Sequence, residues 1–574
     1  MLFSVLSFIG NVLMNGNRST TGLNGPERLP DTDRLDYQWK SIDWKKAEAE
    51  VNRLQARIAK ATQEKKWNTV KRLQYLLTHS YYAKVLAVRK VTTNKGKNTP
   101  GVDKELWNTP ADKMRGALTL TDTGYKAKPL RRVYIEKKGK KAKRPLGIPC
   151  MYDRAMQALY ALALDPVSET TADPKSFGFR KGRCAQDACE YIFGALSKKC
   201  APKWILEGDI KGCFDHISHD WLVEHIPMDQ SVLKQFLKAG FVFQDELFST
   251  DEGTPQGGVI SPILANMTLD GMQELLASRF HKNSRGKIDV QKKNANKVNL
   301  VRYADDFIVT AATKEIAEEA KELIRSFLAA RGLELSEEKT VITHIDDGFD
   351  MLGWTFRKFN EKLIIKPSKK AVKAFIVSLS KTVLGRGKSW KQEVLIEKLN
   401  QQIRGWANYH QSVCAQETFS LIDHRLFQLL WKWAKRRHPE KGRKWVKDRY
   451  WHTKGTRHWV FSSESSELIA LSYIPIIRHT KVRMNANPYF DTQYFIDRKF
   501  KHGMKRLSGK FKKIWKNQKG CCYHCGLPMD ISDSDEKDIF YKIPKSMGGK
   551  DEVQNMAYVH KHCQIIFMEC RAKA

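Results

Sequence analysis

The sequence predicts a multidomain protein of the α+β class. Its 574 residues are enough for several domains of about 100–200 residues each. Residues 204–210 and 300–309 are apolar runs, rich in β-branched residues, that predict strands. Residues 45–88 repeat apolar positions at helical spacing and predict two amphipathic helices, with a solvated helical pair as the alternative. Residues 521–574 concentrate cysteine and histidine, which predicts a small metal-binding domain.

Composition limits the class of partner. The formal charge of +37 and the pI of about 9.7 indicate an extended polyanion, and nucleic acid is the first candidate. An acidic membrane is the competing partner, but no run of about 20 apolar residues exists to span a bilayer. Cysteines scattered before residue 521 favour a reducing compartment. We therefore expect no membrane partner and a cytoplasmic, nucleoid-associated bacterial protein, with an organellar location as the alternative.

Three aspartates mark the ends of the strand-like runs. The later run predicts a hairpin of two short strands with Ala304, Asp305 and Asp306 at the turn, and Asp209 ends the earlier run. Adjacent carboxylates repel each other unless a cation lies between them. Three carboxylates on neighbouring strands can hold two Mg²⁺ ions roughly 3.5–4 Å apart, an arrangement that stabilises both oxygens of a phosphoryl transfer. The pattern favours nucleotidyl transfer, and an exposed acidic turn is the alternative.

A third motif lies between the acidic ones. It is the loop Thr254-Pro255-Gln256-Gly257-Gly258, which leads into a helix. With Asp209 before it and Tyr303-Ala304-Asp305-Asp306 after it, the sequence resembles the palm of reverse transcriptases, and its order and context resemble the group II intron-encoded proteins. The resemblance implies a right-hand polymerase fold, with fingers, a palm built on an antiparallel sheet and a helical thumb or maturase domain. The three aspartates would be its catalytic residues and Mg²⁺ ligands.

The same resemblance implies a function and a domain order. The chain would copy RNA into DNA from dNTPs, bind its group II intron RNA to assist splicing, and support retrohoming by target-primed reverse transcription at a DNA site. The alternative is an RNA-binding splicing cofactor with vestigial polymerase activity. The implied domains are 1–34, an N-terminal extension; 35–360, fingers and palm; 361–480, thumb or maturase; 481–517, a DNA-binding segment; and 518–574, an HNH-like zinc domain.

The resemblance also assigns the residues that would contact the incoming nucleotide: Lys137, Arg144, Phe214, Gln256 and Lys339. Lys137 and Arg144 would grip the triphosphate, with template-backbone binding as the alternative because eight Lys or Arg lie within 131–144. Phe214 would exclude a 2′-hydroxyl, with a core position as the alternative. Gln256 can hydrogen-bond without adding charge. Lys339 would protonate the leaving pyrophosphate, with an ion pair to Glu337 or Glu338 as the alternative.

Two basic regions follow. Residues 432–457 hold eleven Lys or Arg among aromatic residues, and such mixtures bind phosphates while stacking on unpaired bases. By resemblance, the RNA-binding residues include Arg404, Trp406, Trp431, Lys432 and Trp433. Residues 498–519 hold ten Lys or Arg and no acid. They resemble the family's DNA-binding segment, and a flexible basic linker is the alternative.

Two pairs of metal-binding residues at i, i+3 spacing predict one structural Zn²⁺ ion, and the four ligands are Cys522, Cys525, His560 and Cys563. Cys521, His562 and Cys570 compete as ligands.

The segment between the two pairs resembles the HNH endonuclease fold but departs from it at the catalytic positions. Phe540 and Tyr541 stand where the nuclease carries its metal-binding acid or His and its general-base His, and Gln564 stands in place of a His. Only Asn555 is kept. Because neutral Tyr, with a pKa of about 10, cannot readily activate water, we expect a zinc domain that binds DNA with weak or no cleavage.

Overall fold

The structure is a computed structural model that describes residues 31–136, 143–531 and 537–564. Within these ranges the chain is a multidomain α+β protein. None of the described helices combines the length and apolar character needed to cross a bilayer. Lys137 and Cys570 lie outside the described residues.

The first part of the chain is helical, with α1 (Asp31–Lys40), α2 (Trp44–Gln63), α3 (Trp67–His79), α4 (Tyr81–Thr93) and α5 (Pro110–Thr119). The prediction of two helices in residues 45–88 was wrong, since three form. Lys65 adopts a left-handed φ of 55° after α2, and the extended backbone at Ser80 separates α3 from α4.

A basic hairpin and several helices come next: β1 (Leu130–Glu136), β2 (Lys143–Ile148), α6 (Met151–Thr171), α7 (Ala185–Leu196), β3 (Trp204–Gly208), α8 (Cys213–His216), α9 (His219–His225), α10 (Gln230–Leu237), β4 (Phe241–Phe243) and β5 (Glu246–Phe248). The hairpin belongs to a sheet of order β2-β1-β4-β5. Helix α6 is buried on nearly all faces, and Gln55 Nε2 of α2 donates to its Leu162 carbonyl at 2.7 Å. The N-terminal helices therefore pack into a shared core, and the solvated-pair alternative is wrong.

The central sheet is completed by the next elements: α11 (Ser261–Leu269), α12 (Met272–Phe280), α13 (Val290–Asn296), β6 (Asn299–Tyr303), β7 (Asp306–Ala311), α14 (Lys314–Ala329) and β8 (Val341–His344). Its order is β6-β7-β3-β8, and all neighbours are antiparallel. Helix α14 packs against β3, β7 and β8 through its apolar face, as its 3.6-residue periodicity predicts. This sheet places the predicted strand 204–210 beside the predicted hairpin.

A second body is mainly helical, with β9 (Phe349–Met351), β10 (Trp354–Phe359), β11 (Lys362–Pro367), α15 (Lys369–Ser380), α16 (Gln392–His410), α17 (Gln416–Arg437), α18 (Arg443–Tyr450), β12 (Trp451–Lys454) and β13 (Arg457–Phe461). A π-helical stretch, Lys381–Arg386, continues α15. Leu395, Leu399 and Ile403 are fully buried along one face of α16, at the spacing of an amphipathic helix.

The C-terminal part contains α19 (Thr492–Arg506), α20 (Gly509–Asn517), β14 (Lys537–Tyr541) and β15 (Met556–His560). The basic segment 498–519 is thus largely helical, so the flexible-linker alternative is wrong. Trp515 of α20 is fully buried in the core of the C-terminal module, edge-on to Tyr558 at 5.6 Å. That module is therefore built partly from the basic helices.

Candidate active site

The acidic turn joins two paired strands. Tyr303 lies opposite Asp306 in the β6-β7 hairpin, which confirms the hairpin predicted from sequence. Ala304 adopts a left-handed φ of 56° between them. This is an unusual conformation for a residue with a Cβ, so the surrounding structure must hold the turn in place.

Arg302 holds the turn from beneath. Its side chain has no exposed surface and forms an ion pair with Asp270. Its Nη1 donates to Asn266 Oδ1 at 3.2 Å and to the Ala304 carbonyl at 3.4 Å. On the other side, a Cβ added to Gly178 would lie 2.3 Å from the Ala304 nitrogen. The turn is therefore clamped by a buried guanidinium and by a close backbone approach that requires glycine.

The structure brings the three aspartates together. In the β3-β7 pair Gly208 lies opposite Phe307, so Asp209, next in the chain, lies beside the turn. Burial, and then the charges of Asp305 and Asp209, raise the pKa of Asp306 to about 6. Burial also raises the pKa of Asp305, with a further contribution from Asp209. A cation between the carboxylates would relieve this repulsion, so the donor set fits a divalent metal.

Lys339 reaches this cluster. Its Nζ forms an ion pair with Asp209 Oδ2. The alternative pairing with Glu337 is wrong, because Glu337 is paired with Lys321 at 2.9 Å and with Arg325 at 2.7 Å. The ammonium group therefore lies at the acidic cluster itself, where a leaving group could accept its proton.

A cavity of about 900 Å³ opens over Asp209 and Asp306, and Asp305 is not among its lining residues. Asp209, Asp306, Arg144, Lys339 and Lys370 are among its lining residues. Arg144 lies on the exposed end of β2, and its charge lowers the pKa of Asp305 against the effect of burial. Positive groups thus face the carboxylates across a space of the size that small-molecule ligands occupy.

Phe214 and Gln256 do not line this cavity and are held by protein contacts. Phe214 is half-buried against the main core, with Phe179 edge-on at 6.2 Å. Gln256 Nε2 donates to both carboxylate oxygens of Asp215, at 3.1 and 3.0 Å. The Gln256 carbonyl accepts from Gly147 N at 2.9 Å, which ties the loop to β2. Asp215 therefore fixes the Gln256 amide, a role that the sequence alone did not reveal.

The residues expected to bind RNA are dispersed. Arg404 and Lys432 are exposed, whereas Trp406 is half-buried and stacked on Phe375 at 4.9 Å. Trp433 is only 2% exposed and its Nε1 donates to the Gly387 carbonyl at 2.8 Å. Trp433 is a core residue that RNA cannot reach, because its ring is buried and its hydrogen-bond donor is used inside the protein.

The four predicted zinc ligands converge. The candidate ligand atoms of Cys522, Cys525, His560 and Cys563 all lie within 4.8 Å of one another. Cys521 and His562 are outside this group. Hydrogen bonds from the other thiols hold the pKa of Cys522 far below its usual value, which favours the thiolate form that binds metals. The donors fit a tetrahedral structural zinc site.

The HNH-like positions make structural contacts. Tyr541 donates its hydroxyl to Asp551 Oδ1 at 2.6 Å. Asn555 accepts from Ile543 N at 2.7 Å and donates to the carbonyls of Ile543 and Lys550, at 3.1 and 3.0 Å. Its amide is thus fully used in closing the 543–550 loop. Gln564 is half-buried at the end of the described chain and is not part of the ligand cluster.

Four domain families match the chain in order. Residues 39–120 match the N-terminal domain of reverse transcriptase, and 135–356 match reverse transcriptase (RNA-dependent DNA polymerase). Residues 372–451 match the group II intron maturase-specific domain, and 522–564 match HNH endonuclease. The acidic site therefore lies in a reverse transcriptase domain.

Individual relatives define the family of this chain more closely than the domain matches do. Group II intron-encoded protein LtrA of Lactococcus lactis subsp. cremoris is 33% identical over 362 residues, which cover 52% of this chain and 59% of that relative's own length. Protein YkfC of Escherichia coli is 32% identical over 317 residues, covering 50% of this chain and 82% of the relative. Maturase-like protein 1 of Euglena gracilis is 24% identical over 384 residues, covering 65% and 77%. The chain belongs to the family of group II intron-encoded proteins.

Proposed function

We propose that the chain is an RNA-directed DNA polymerase and intron maturase with a right-hand fold. Residues 35–360 form the fingers and palm and residues 361–480 the thumb, after an N-terminal extension at 1–34. The observation that carries the proposal is the convergence of Asp209, Asp305 and Asp306 at the ends of two paired strands, where Asp209 and Asp306 line a cavity together with Arg144, Lys339 and Lys370. Buried carboxylates that raise one another's pKa destabilise the fold, so their clustering is explained by the metal-dependent chemistry they would support.

Each site residue has a role in this proposal. The three aspartates hold two Mg²⁺ ions, which would stabilise the attacking and leaving oxygens of nucleotidyl transfer. Arg144, with Lys137, binds the triphosphate of the incoming dNTP. Phe214 and Gln256 shape the sugar and base positions. Lys339 lies at the cluster as the proton donor to pyrophosphate.

Primer extension on an RNA template tests the polymerase. Asp306→Asn removes a charge at nearly constant size and should lower the rate about a thousand-fold, because several kcal/mol of transition-state stabilisation is lost. Glu318→Gln, on an exposed turn of α14, is the matched control and should extend normally. Wild-type rates in Asp306→Asn would reject the proposal.

A splicing assay separates the polymerase from the cofactor function. Asp305→Ala should abolish primer extension and leave RNA splicing intact if the chain has both roles. A wild-type chain that assists splicing without extending any primer would instead favour the vestigial-polymerase alternative. Sequencing the RNA that copurifies with the chain identifies the intron RNA.

The C-terminal part is proposed to bind the DNA target of retrohoming without cutting it efficiently. Residues 481–517 supply the basic helices, and one Zn²⁺ ion held by the four Cys/His ligands stabilises residues 518–574. The Tyr541 and Asn555 contacts support weak or absent cleavage, since both side chains are engaged in protein hydrogen bonds. Mg²⁺-dependent nicking that disappears in Asn555→Ala would contradict this part of the proposal.

A further inference from the structure

A second cavity, of about 450 Å³, lies in the helical body and shares no lining residue with the acidic cavity. We call it the aromatic pocket, and it is lined by Phe427, Trp431, Arg443, Lys444, Lys447 and Trp459. The first two residues lie four apart on α17, the three cations lie on α18, and Trp459 lies on β13. Three separate elements therefore build it.

Aromatic rings flank the pocket. The rings of Phe427 and Trp431 are 6.1 Å apart and nearly parallel. Trp459 lies 6.5 Å from Trp431 and 6.1 Å from Phe427. Trp459 is nevertheless 52% exposed, so a large part of its surface is open to a ligand. A planar aromatic group could stack in this position.

The backbone directs Trp459 to this position. Between the paired residues His452↔Val460 and Lys454↔Arg457, residues 458 and 459 oppose the single residue 453, which is a β-bulge. Trp459 has a left-handed φ of 59° there. Bulges re-aim side chains, and a bulky residue in this conformation is a true outlier. An exposed tryptophan held in such a conformation is more easily explained by a binding role than by packing.

The charge around the pocket defines the ligand class. Arg443, Lys444 and Lys447 line it, and none of its described lining residues is acidic. Lys447 Nζ lies 5.9 Å from the Trp459 ring. Lys447 is also paired with Asp448 at 2.9 Å, which leaves Arg443 and Lys444 as the main charges at the pocket. Aromatic cages without such cations can bind quaternary ammonium groups, but these cations would repel one. An aromatic ligand with negative charge fits instead, and an unpaired nucleotide has both properties.

We propose that the aromatic pocket binds one unpaired base of a bound RNA, stacked on Trp459 and Trp431, with the neighbouring phosphates on Arg443 and Lys444. This inference rests on the proposed RNA-binding function and adds to it a defined position and recognition chemistry. It also assigns a binding role to the partly exposed Trp431 and not to the buried Trp433 on the same helix.

Binding of two RNA hairpins to the full chain tests the pocket. One hairpin carries a single bulged 2-aminopurine, and in the other the same 2-aminopurine is paired with uridine. The wild type should bind the bulged hairpin about 5- to 150-fold more tightly, which is the range of one stacking contact. Trp459→Ala should remove this preference, and Trp459→Phe should keep most of it. Trp445→Ala is the matched control, because Trp445 is a 40% exposed tryptophan on α18 that packs on His438 and does not line the pocket.

Crosslinking of the wild type provides a result that does not depend on the folding of a variant. A 4-thiouridine in the bulge should crosslink within residues 427–459. Equal affinity of the wild type for both hairpins, an unchanged preference in Trp459→Ala, or crosslinks confined to other regions would overturn the inference. The same results would be expected if the pocket bound a helix of a protein partner instead of an RNA base.

Wild-type primer extension on a pre-annealed template, measured separately, distinguishes the two proposals. A bulge preference without extension rejects the polymerase and leaves the pocket, and extension without a bulge preference rejects the pocket alone.

Discussion

Arg302→Met is the substitution that tests how the acidic turn is held. Methionine keeps an unbranched apolar side chain and removes the guanidinium that pairs with Asp270 and donates to the Ala304 carbonyl. The Asp270 carboxylate would then be buried without a counter-ion. Breaking a buried pair in this way costs about 3–5 kcal/mol of stability. Primer extension should fall as well, because the turn loses a contact that fixes its left-handed residue.

The loss of stability should increase with pH. Burial, partly offset by the charge of Arg302, raises the pKa of Asp270 to about 6. A carboxyl group whose pKa is raised on folding binds its proton more tightly in the folded state, so stability falls between about pH 4 and pH 6 and then levels off. Without Arg302 the folded-state pKa rises further. The unfolding free energy of the variant should therefore continue to fall by about 1.4 kcal/mol per pH unit above about pH 6, whereas that of the wild type no longer changes there.

Urea unfolding of both proteins at about pH 5.5 and about pH 7.5 measures this difference. The difference in unfolding free energy between the wild type and Arg302→Met should be about 2 kcal/mol larger at the higher pH than at the lower one. Adding Asp270→Asn to the variant should remove the pH dependence, because no ionisable group remains at that position. A gap of equal size at both pH values would refute the assignment of the loss to an unpaired carboxylate.

Three further predictions concern the same chain. Gly178→Ala should lower primer extension at least about ten-fold because its Cβ would collide with the turn, whereas Gly405→Ala, which meets no atom within 4 Å, should be active and no less stable. Primer extension should fall as the pH drops through about 6, the pKa of Asp306, and added Mg²⁺ should shift the fall to lower pH. Lys339→Ala should lower the Mg²⁺ concentration needed for half-maximal rate, because the Lys339 ammonium competes with Mg²⁺ for the Asp209 carboxylate. The substitution should also lower the maximal rate, because the proton donor is lost. An unchanged Mg²⁺ requirement would contradict the ion pair.

The parts of the site that the sequence predicted are those set by local pattern. The strand before Asp209 and the hairpin around Asp305 and Asp306 follow from short apolar runs interrupted by acids, because strand alternation and turn position are local properties. The zinc cluster follows from the two i, i+3 pairs. In each case the residue types and their spacing define the geometry with little help from the rest of the fold.

The supporting residues could not be found in this way. The sequence offered a neighbouring glutamate as the alternative partner of Lys339, but its partner is Asp209, 130 positions earlier. Gly178 is adjacent to the turn only because the chain returns to it. Arg302 did offer a signal, since a charged residue inside an apolar strand must be paired when buried. Trp433 shows the opposite error, because an aromatic residue in a basic segment can belong to the core.

The Cys/His cluster and the aspartate cluster support different inferences. The Cys/His ligands and Trp515 build the C-terminal module, so their presence is explained by folding and does not imply DNA cleavage. The residues at the cleavage positions, Tyr541 among them, could change without removing any ligand. The aspartate cluster is different, because burial and mutual repulsion raise the pKa values of Asp305 and Asp306 and so oppose folding at neutral pH. A group of residues that destabilises the fold it occupies is stronger evidence of chemistry than a group that holds the fold together.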